Sequence, residues 1–321
     1  MHRCCYLLLG LLLLASFASA QPEPLFTPHI ERHANGWIDW DQGMIYATGL
    51  AYMDNNSGSR AKTTSAAQLV AAANIVKLAS GLQLDERHTM EKLGNGTFIL
   101  KLKAFLRYRE IKRNIVKNTQ RPYAEVTLAT PLHGVDGLTA QLLNQLKKQP
   151  LQWQKFPLPD PTSRRASNDD PWLVIDTRQL PKTAEIRPSL FPKITNSSGL
   201  TIYDLGQVYQ SANTQRGLAQ YVHSDASVEQ ILIALSTPQP STWQRWANWL
   251  NPIATAWAEG RNQRPRYIVT SAEQVRGIAR TNLVISNHDA QFLRQEDAAS
   301  KILKECRVII ITSAPIGGIE G

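Results

Sequence analysis

Hydrophobic positions along the first half of the chain switch between a period of two and a period near 3.6. Gly43 to Met53 (GMIYATGLAYM) is rich in β-formers and ends in a loop signal, Asp54 to Ser59. From about Ala61 to Ser80, the positions Ala66, Leu69, Val70, Ala73, Ile75, Val76 and Ala79 recur at helical spacing, which predicts an amphipathic helix. Its alanines let it lie close against a sheet, and Gly81 suits the C-cap. Thr97 to Glu110 (TFILKLKAFLRYRE) alternates, with Phe98, Leu100, Leu102, Ala104 and Leu106 pointing one way, as in a long half-buried strand. Tyr123 to Thr130 reads as a further strand. Gly134 to Lys148 reads as a helix carrying Leu138, Leu142, Leu143 and Leu146. The order strand, helix, strand, strand predicts an α+β module, a helix packed on one face of an antiparallel sheet.

The second half carries shorter, more apolar runs. Trp172 to Asp176 (WLVID) is a buried strand, and Arg307 to Thr312 an apolar central one that places Cys306 beside it. Ile186 to Ile194 holds Pro188 and Pro192, which suits an edge strand or extended segment. Leu200 to Tyr203, Tyr267 to Thr270 and Asn282 to Ile285 read as short strands. Ala226 to Leu235, Ser271 to Ala279 and Asn287 to Glu296 read as helices, the last capped by Ser286. Strands alternating with helices predict a second, mixed α/β domain. The resulting organisation is a leader at 1–20, a mobile proline-bearing stretch at 21–35, the α+β module at 36–149, a proline-rich linker at 150–171, the second domain at 172–313 and a tail at 314–321.

Residues 241–260 stand apart within that second domain. Trp243, Trp246, Leu250, Ile253 and Trp257 fall at spacings of three and four, and four of the chain's eight tryptophans lie in this insertion. Such a stripe either packs on its own domain or docks on a partner or a membrane interface. Few basic residues flank it, which favours the partner. Trp243, Trp246, Leu250 and Trp257 are therefore candidate partner-binding residues.

Composition then narrows the classes. With 43% hydrophobic and 19% charged residues, general disorder is excluded. Arg3, the apolar run Leu7 to Leu14 and Ala18-Ser19-Ala20 form a secretory signal peptide, too short for a membrane span. Gln21, not cysteine, follows the cleavage point, so no lipid anchor is expected and the mature protein is placed in the periplasm. It keeps only Cys306, so the fold holds by packing without an internal disulfide. Formal charge is +9, and removing Arg3 leaves +8. Anionic polymers, membrane surfaces and acidic proteins are attracted to such a surface; the compartment argues against nucleic acid. Lys101, Lys103, Arg107 and Arg109 share one parity and hence one strand face. That face is either a solvated one that discourages edge pairing or a polyanion-binding one.

Motifs for chemistry are few. His29 and His33 are four apart, but a metal site needs more ligands than a pair. There is no Gly-x-Ser-x-Gly elbow and no phosphate-binding loop. Asp39 and Asp41 form a carboxylate pair without a nominated partner. No catalytic residue, metal ligand or cofactor is predicted. Asp176, Arg178, Asn287 and Asp289 are the candidate ligand-binding residues, with turn and helix-cap roles as the alternative.

The segment Met44–Thr130 resembles the module of flagellar accessory lipoproteins of the FlgP type and of the N-terminal domain of FlgT. The likeness is carried by Ala47-Thr48-Gly49, Ala66-Ala67, Ala71-Ala72-Ala73-Asn74 and Leu78-Ala79-Ser80-Gly81-Leu82. Leu173 to Arg178, Arg187 to Ile194, Gly217 to Tyr221, Val284 to Ala290 and Leu303 to Val308 resemble the C-terminal region of mostly uncharacterised exported proteins that carry this module. The resemblance implies a structural role in the periplasm or at the outer membrane. The lipidation cysteine is missing, and the tryptophan-rich insertion is foreign to the pattern. The expected function is that of a non-enzymatic accessory or assembly protein of the cell envelope, with envelope or flagellar basal-body proteins as partners. A hydrolase acting on an envelope polymer and a binder of anionic polymer are the alternatives; an aspartate meeting a histidine in one cleft would favour the hydrolase. Exported protein is expected to begin at Gln21. N-terminal sequencing of periplasmic material checks this, and an intact Met1 there would mean that the leader is not cleaved.

Overall fold

The computed structural model describes residues 25–53, 60–93, 106–146, 171–236 and 266–313. The fold is α+β, with a helix on an antiparallel sheet followed by a mixed α/β unit. Strands β1 (Ile30–His33), β2 (Gly36–Asp39), β3 (Met44–Tyr52), β4 (Arg109–Val116) and β5 (Tyr123–Pro131) form one antiparallel sheet in the order β1-β2-β3-β5-β4. Helix α1 (Arg60–Gly81) lies across β3 and β5. A short turn of helix, α2 (Met90–Leu93), follows it, and α3 (Leu138–Leu146) follows β5.

Helix α1 is rotated from its expected orientation. It buries Thr63, Thr64, Ala67, Ala71, Ile75, Val76, Leu78 and Ala79. Ala66 and Ala73 face solvent, as do Leu69 at 72% and Val70 at 42% exposure. The reason is steric. A Cβ on Gly49 would sit 2.2 Å from both the Ala67 carbonyl oxygen and the Ala71 nitrogen, where non-bonded contacts favour about 3.5–4.0 Å. The backbones touch at Ala67 and Ala71, so only alanines fit the seam there, and Leu69 and Val70 go outward while Ile75, Val76 and Leu78 are buried farther along the helix.

Two expectations in this half are corrected. Leu25 to Asn35 is not an aperiodic mobile stretch. β1 pairs with β2, the Thr27 N–H donates to the His223 carbonyl at 3.0 Å, and Phe26 packs on the second domain. Proline content misleads here because the prolines precede the paired residues. Among the described residues, the strand expected over 97–110 begins only at Arg109 and continues to Val116. Pairing with β5 slips between Glu110 and Lys112, a bulge that inserts Ile111 and breaks the simple alternation. Residues 94–105 lie outside the described residues, as do most of the linker at 150–171 and the whole insertion at 241–260.

The second unit contains β6 (Trp172–Asp176), β7 (Ile194–Asn196), β8 (Thr201–Tyr203), α4 (Gln210–Arg216), β9 (Gln220–His223), α5 (Val228–Ser236), β10 (Tyr267–Ser271), β11 (Gln274–Arg276), β12 (Asn282–Ile285), α6 (Asn287–Ser300) and β13 (Val308–Thr312). An all-parallel sheet runs β10-β6-β13-β9, and a mixed sheet runs β11-β12-β7-β8. β13 is fully buried at the centre, as its apolar run requires. The helix expected at 271–279 is instead the hairpin β11–β12. Gly277, at φ +92°, makes the turn that a helix cannot contain. Cys306 precedes β13 at φ 55° and is buried; burial pushes its thiol up to about 12, so it is a core group and not a nucleophile.

The two units share one continuous core. Ile38, Leu82 and Leu84 from the first unit join Phe191, Tyr203 and Ile310 from the second. The Leu190 and Phe191 N–H groups donate to the carbonyls of Gln83 and Leu84 at 3.1 and 2.7 Å. Gly49→Ala is expected to lower stability by about 1–3 kcal/mol or more, measured by urea denaturation. Gly81→Ala meets nothing within 4 Å and is expected to be neutral or stabilising by up to about 1 kcal/mol.

Candidate functional site

The four predicted ligand residues do not converge. Asp176, at the carboxyl end of β6, accepts from Arg178 twice through the side chain, at 2.9 and 2.7 Å, and once through the backbone N–H at 3.0 Å. Arg178 also donates to the carbonyls of Ser224 and Ala226. Burial would raise the Asp176 carboxyl, but the hydrogen bonds and charge of Arg178 hold it below the usual range. The pair closes a turn and ties β6 to the segment after β9. Asp289 accepts from Thr270 Oγ1 at 2.5 Å. Thr270 pairs with Ile175, which faces the main core, whereas Asp176 alternates to the other side. Ser286 caps α6 by accepting from the Asp289 N–H at 2.9 Å, and Asn287 accepts from Ser198 at 3.1 Å. Turn and cap roles thus occupy these residues on two separate faces.

The basic face is only partly as expected. Lys101 and Lys103 lie outside the described residues. Arg107 precedes β4, and its carbonyl accepts from Thr130 Oγ1 at 2.8 Å, so strand alternation does not govern it. Arg109 pairs with Ala129, and Ala129 with Tyr46; Lys112 pairs with Thr127, and Thr127 with Thr48. Directly paired residues project to the same face. Arg109 and Lys112 therefore share the side of the sheet away from α1 with two aromatic pairs. Trp37 and Tyr46 stack at 5.0 Å between centroids, and Tyr52 meets Tyr123 edge-on at 6.2 Å. Tyr52 is 60% and Leu50 38% exposed. Neither pair was visible in the sequence, because only the register of β2, β3 and β5 brings the rings together. Trp243, Trp246, Leu250 and Trp257 lie outside the described residues.

A third cluster sits at the joint between the units. The rings of His29 and His223 stack 4.1 Å apart and 10° from parallel. A cavity of about 340 Å³ opens beside them, lined in part by Glu185, Arg187 and Arg280. Burial pushes His29 down to about 3 and His223 to about 4; the neighbouring His223 ring depresses His29 further. Asp41 and His29 do meet, but through the main chain: Asp41 Oδ2 accepts from the His29 backbone N–H. Burial raises the Asp41 carboxyl to about 7. Asp39 accepts from the Gln42 N–H at 2.9 Å. Among the described residues, no group of three or more His, Cys, Asp or Glu side chains is placed to hold a metal ion, and no helix is long and apolar enough to cross a membrane. Nothing in the sequence linked His223 to His29.

The second unit, over residues 172–239 and 248–314, matches the family model described as Treponema pallidum Tp0624, second domain. The unmatched residues between these stretches overlap the start of the tryptophan-rich insertion. No curated protein matches the chain.

The joint makes stability depend on pH. Unfolded imidazoles titrate near 6.5, so below that pH the unfolded chain takes up protons that folded His29 and His223 refuse. Buried His133, pushed down to about 4, adds to the effect. Asp41 acts oppositely, since its folded carboxyl takes a proton first as pH falls from about 7, and Asp39, also raised by burial, works in the same direction. Three imidazoles outweigh these carboxyls, so stability is expected to drop between about pH 6.5 and 4. Thermal melts across that range test this; His29→Asn with His223→Asn should show a shallower acid loss than the parent.

Proposed function

We propose that the chain is a non-enzymatic accessory or assembly protein of the bacterial cell envelope, exported to the periplasm, which contacts its partner through the face of the first sheet opposite α1. The carrying observation is that face itself: Trp37, Tyr46, Leu50, Tyr52 and Tyr123 lie together beside Arg109 and Lys112. Aromatic rings and arginine are what protein interfaces enrich. Asp39 and Asp41 are engaged by main-chain N–H groups, which supports a structural reading of them over a hydrolytic one. The flagellar setting rests on the resemblance of residues 44–130. Arg109 and Lys112 also favour a second reading, direct binding of an anionic envelope polymer.

Photo-cross-linking from position 52 in exported protein tests the proposal. The expected result is a defined envelope or basal-body protein captured from position 52, not from exposed position 299 on α6, and lost in Trp37→Ala. Equal capture from both positions, or none, overturns it. Capture of polymer alone, weakened by Lys112→Glu and by salt, supports the second reading instead.

A further inference from the structure

The cavity at the joint has the makings of a second, small-molecule site, independent of the sheet face. His223 ends β9 at the carboxyl edge of a parallel sheet, where ligands of such sheets bind. It is only 2% exposed, and neither ring nitrogen has a hydrogen-bond partner; His29 Nδ1 has none either. A neutral imidazole carries one donor and one acceptor, and leaving such groups unmet in the interior is unfavourable. Both histidines line the cavity, together with Arg187, Arg280 and, among the described residues, a single acid, Glu185. Glu185 Oε1 is 3.8 Å from His223 Nε2, beyond hydrogen-bond reach, and its side chain is 48% exposed. Arg280 keeps one nitrogen on the Thr183 carbonyl at 3.2 Å, which braces the guanidinium at the rim.

We propose that this cavity binds a small carboxylate, with Arg187 and Arg280 holding its oxygens and the His223 ring donating from below. Two cations against one acid give the mouth its sign. The unmet imidazole nitrogens are buried beneath the floor, shielded from bulk water. Glu185 opposes the ligand's charge and so limits affinity. Asp225 also acts on His223, and Asp41 holds the His29 backbone; both stay in place in the test.

The test is a titration of the mature protein with succinate, followed by the ring-nitrogen NMR signals of the histidines. A saturable shift of the His223 ring is expected, tighter at lower pH because a bound anion favours the imidazolium. Arg187→Ala with Arg280→Ala should weaken binding about tenfold or more, with an unchanged melting temperature, and Glu185→Gln should tighten it. Ala-Ala-Ala with a free or an amidated C-terminus, run in parallel, separates a free acid from a peptide terminus as the source of the carboxylate. No saturable shift with either carboxylate overturns the site. A shift that survives loss of both arginines also overturns it, because it marks non-specific binding. Should the double variant fail to fold, Glu185→Gln decides alone: unchanged or weaker binding refutes the assignment.

Discussion

Close contact between α1 and β3 sets the geometry from which the rest follows. Gly49 lets the two backbones meet, and the Ala67–Ala71 seam keeps them there. The helix is thereby fixed in height and rotation over the sheet. Its last turn delivers Leu82 and Leu84 to the second unit, where Leu190 and Phe191 bond to the main chain of residues 83 and 84. A helix standing farther off the sheet would displace that contact by a similar distance. Cores packed to crystal-like density tolerate little such displacement.

Four further contacts make the joint firm. The arm from Leu25 to His29 crosses from one unit to the other, with Phe26 packed on the second domain and β1 paired in the first sheet. Trp40 meets Tyr221 edge-on at 6.0 Å, the Gly134 N–H donates to the Thr214 carbonyl at 2.6 Å, and Asn282 donates to Glu86 at 2.6 Å. Interfaces between ordinary domains are more polar and allow relative motion; a shared apolar core with main-chain bonds opposes it. The stacked histidines sit inside this joint, which is why they stay neutral.

Charge is distributed by the same logic. Buried Asp176 is paired with Arg178, because an unpaired buried charge would cost several kcal/mol, whereas Asp39 and Asp41 are met by main-chain N–H groups. The cations of β4 lie on an edge strand, where they hinder pairing with another chain. The bulge at Ile111 divides them, placing Arg109 and Lys112 on the open face and Arg113 on the α1 side, where it pairs with Glu110 at 2.8 Å. One edge strand thus serves both solubility and the open face.

The sequence by itself determined the α+β class, the helix at 60–81, the buried strands at 172–176 and 308–312 and the Ser286 cap. These follow from local periodicity and capping, which are short-range properties of the chain. Tertiary structure decided which side of α1 is buried, because backbone clearance at Gly49 outweighed side-chain hydrophobicity. It decided that residues 274–276 form a strand, because β12 was there to pair with them. It also brought Trp37 to Tyr46, and His29 to His223, 194 positions apart in the chain. No window of sequence contains such pairs, since strand register and the packing of two units against each other create them.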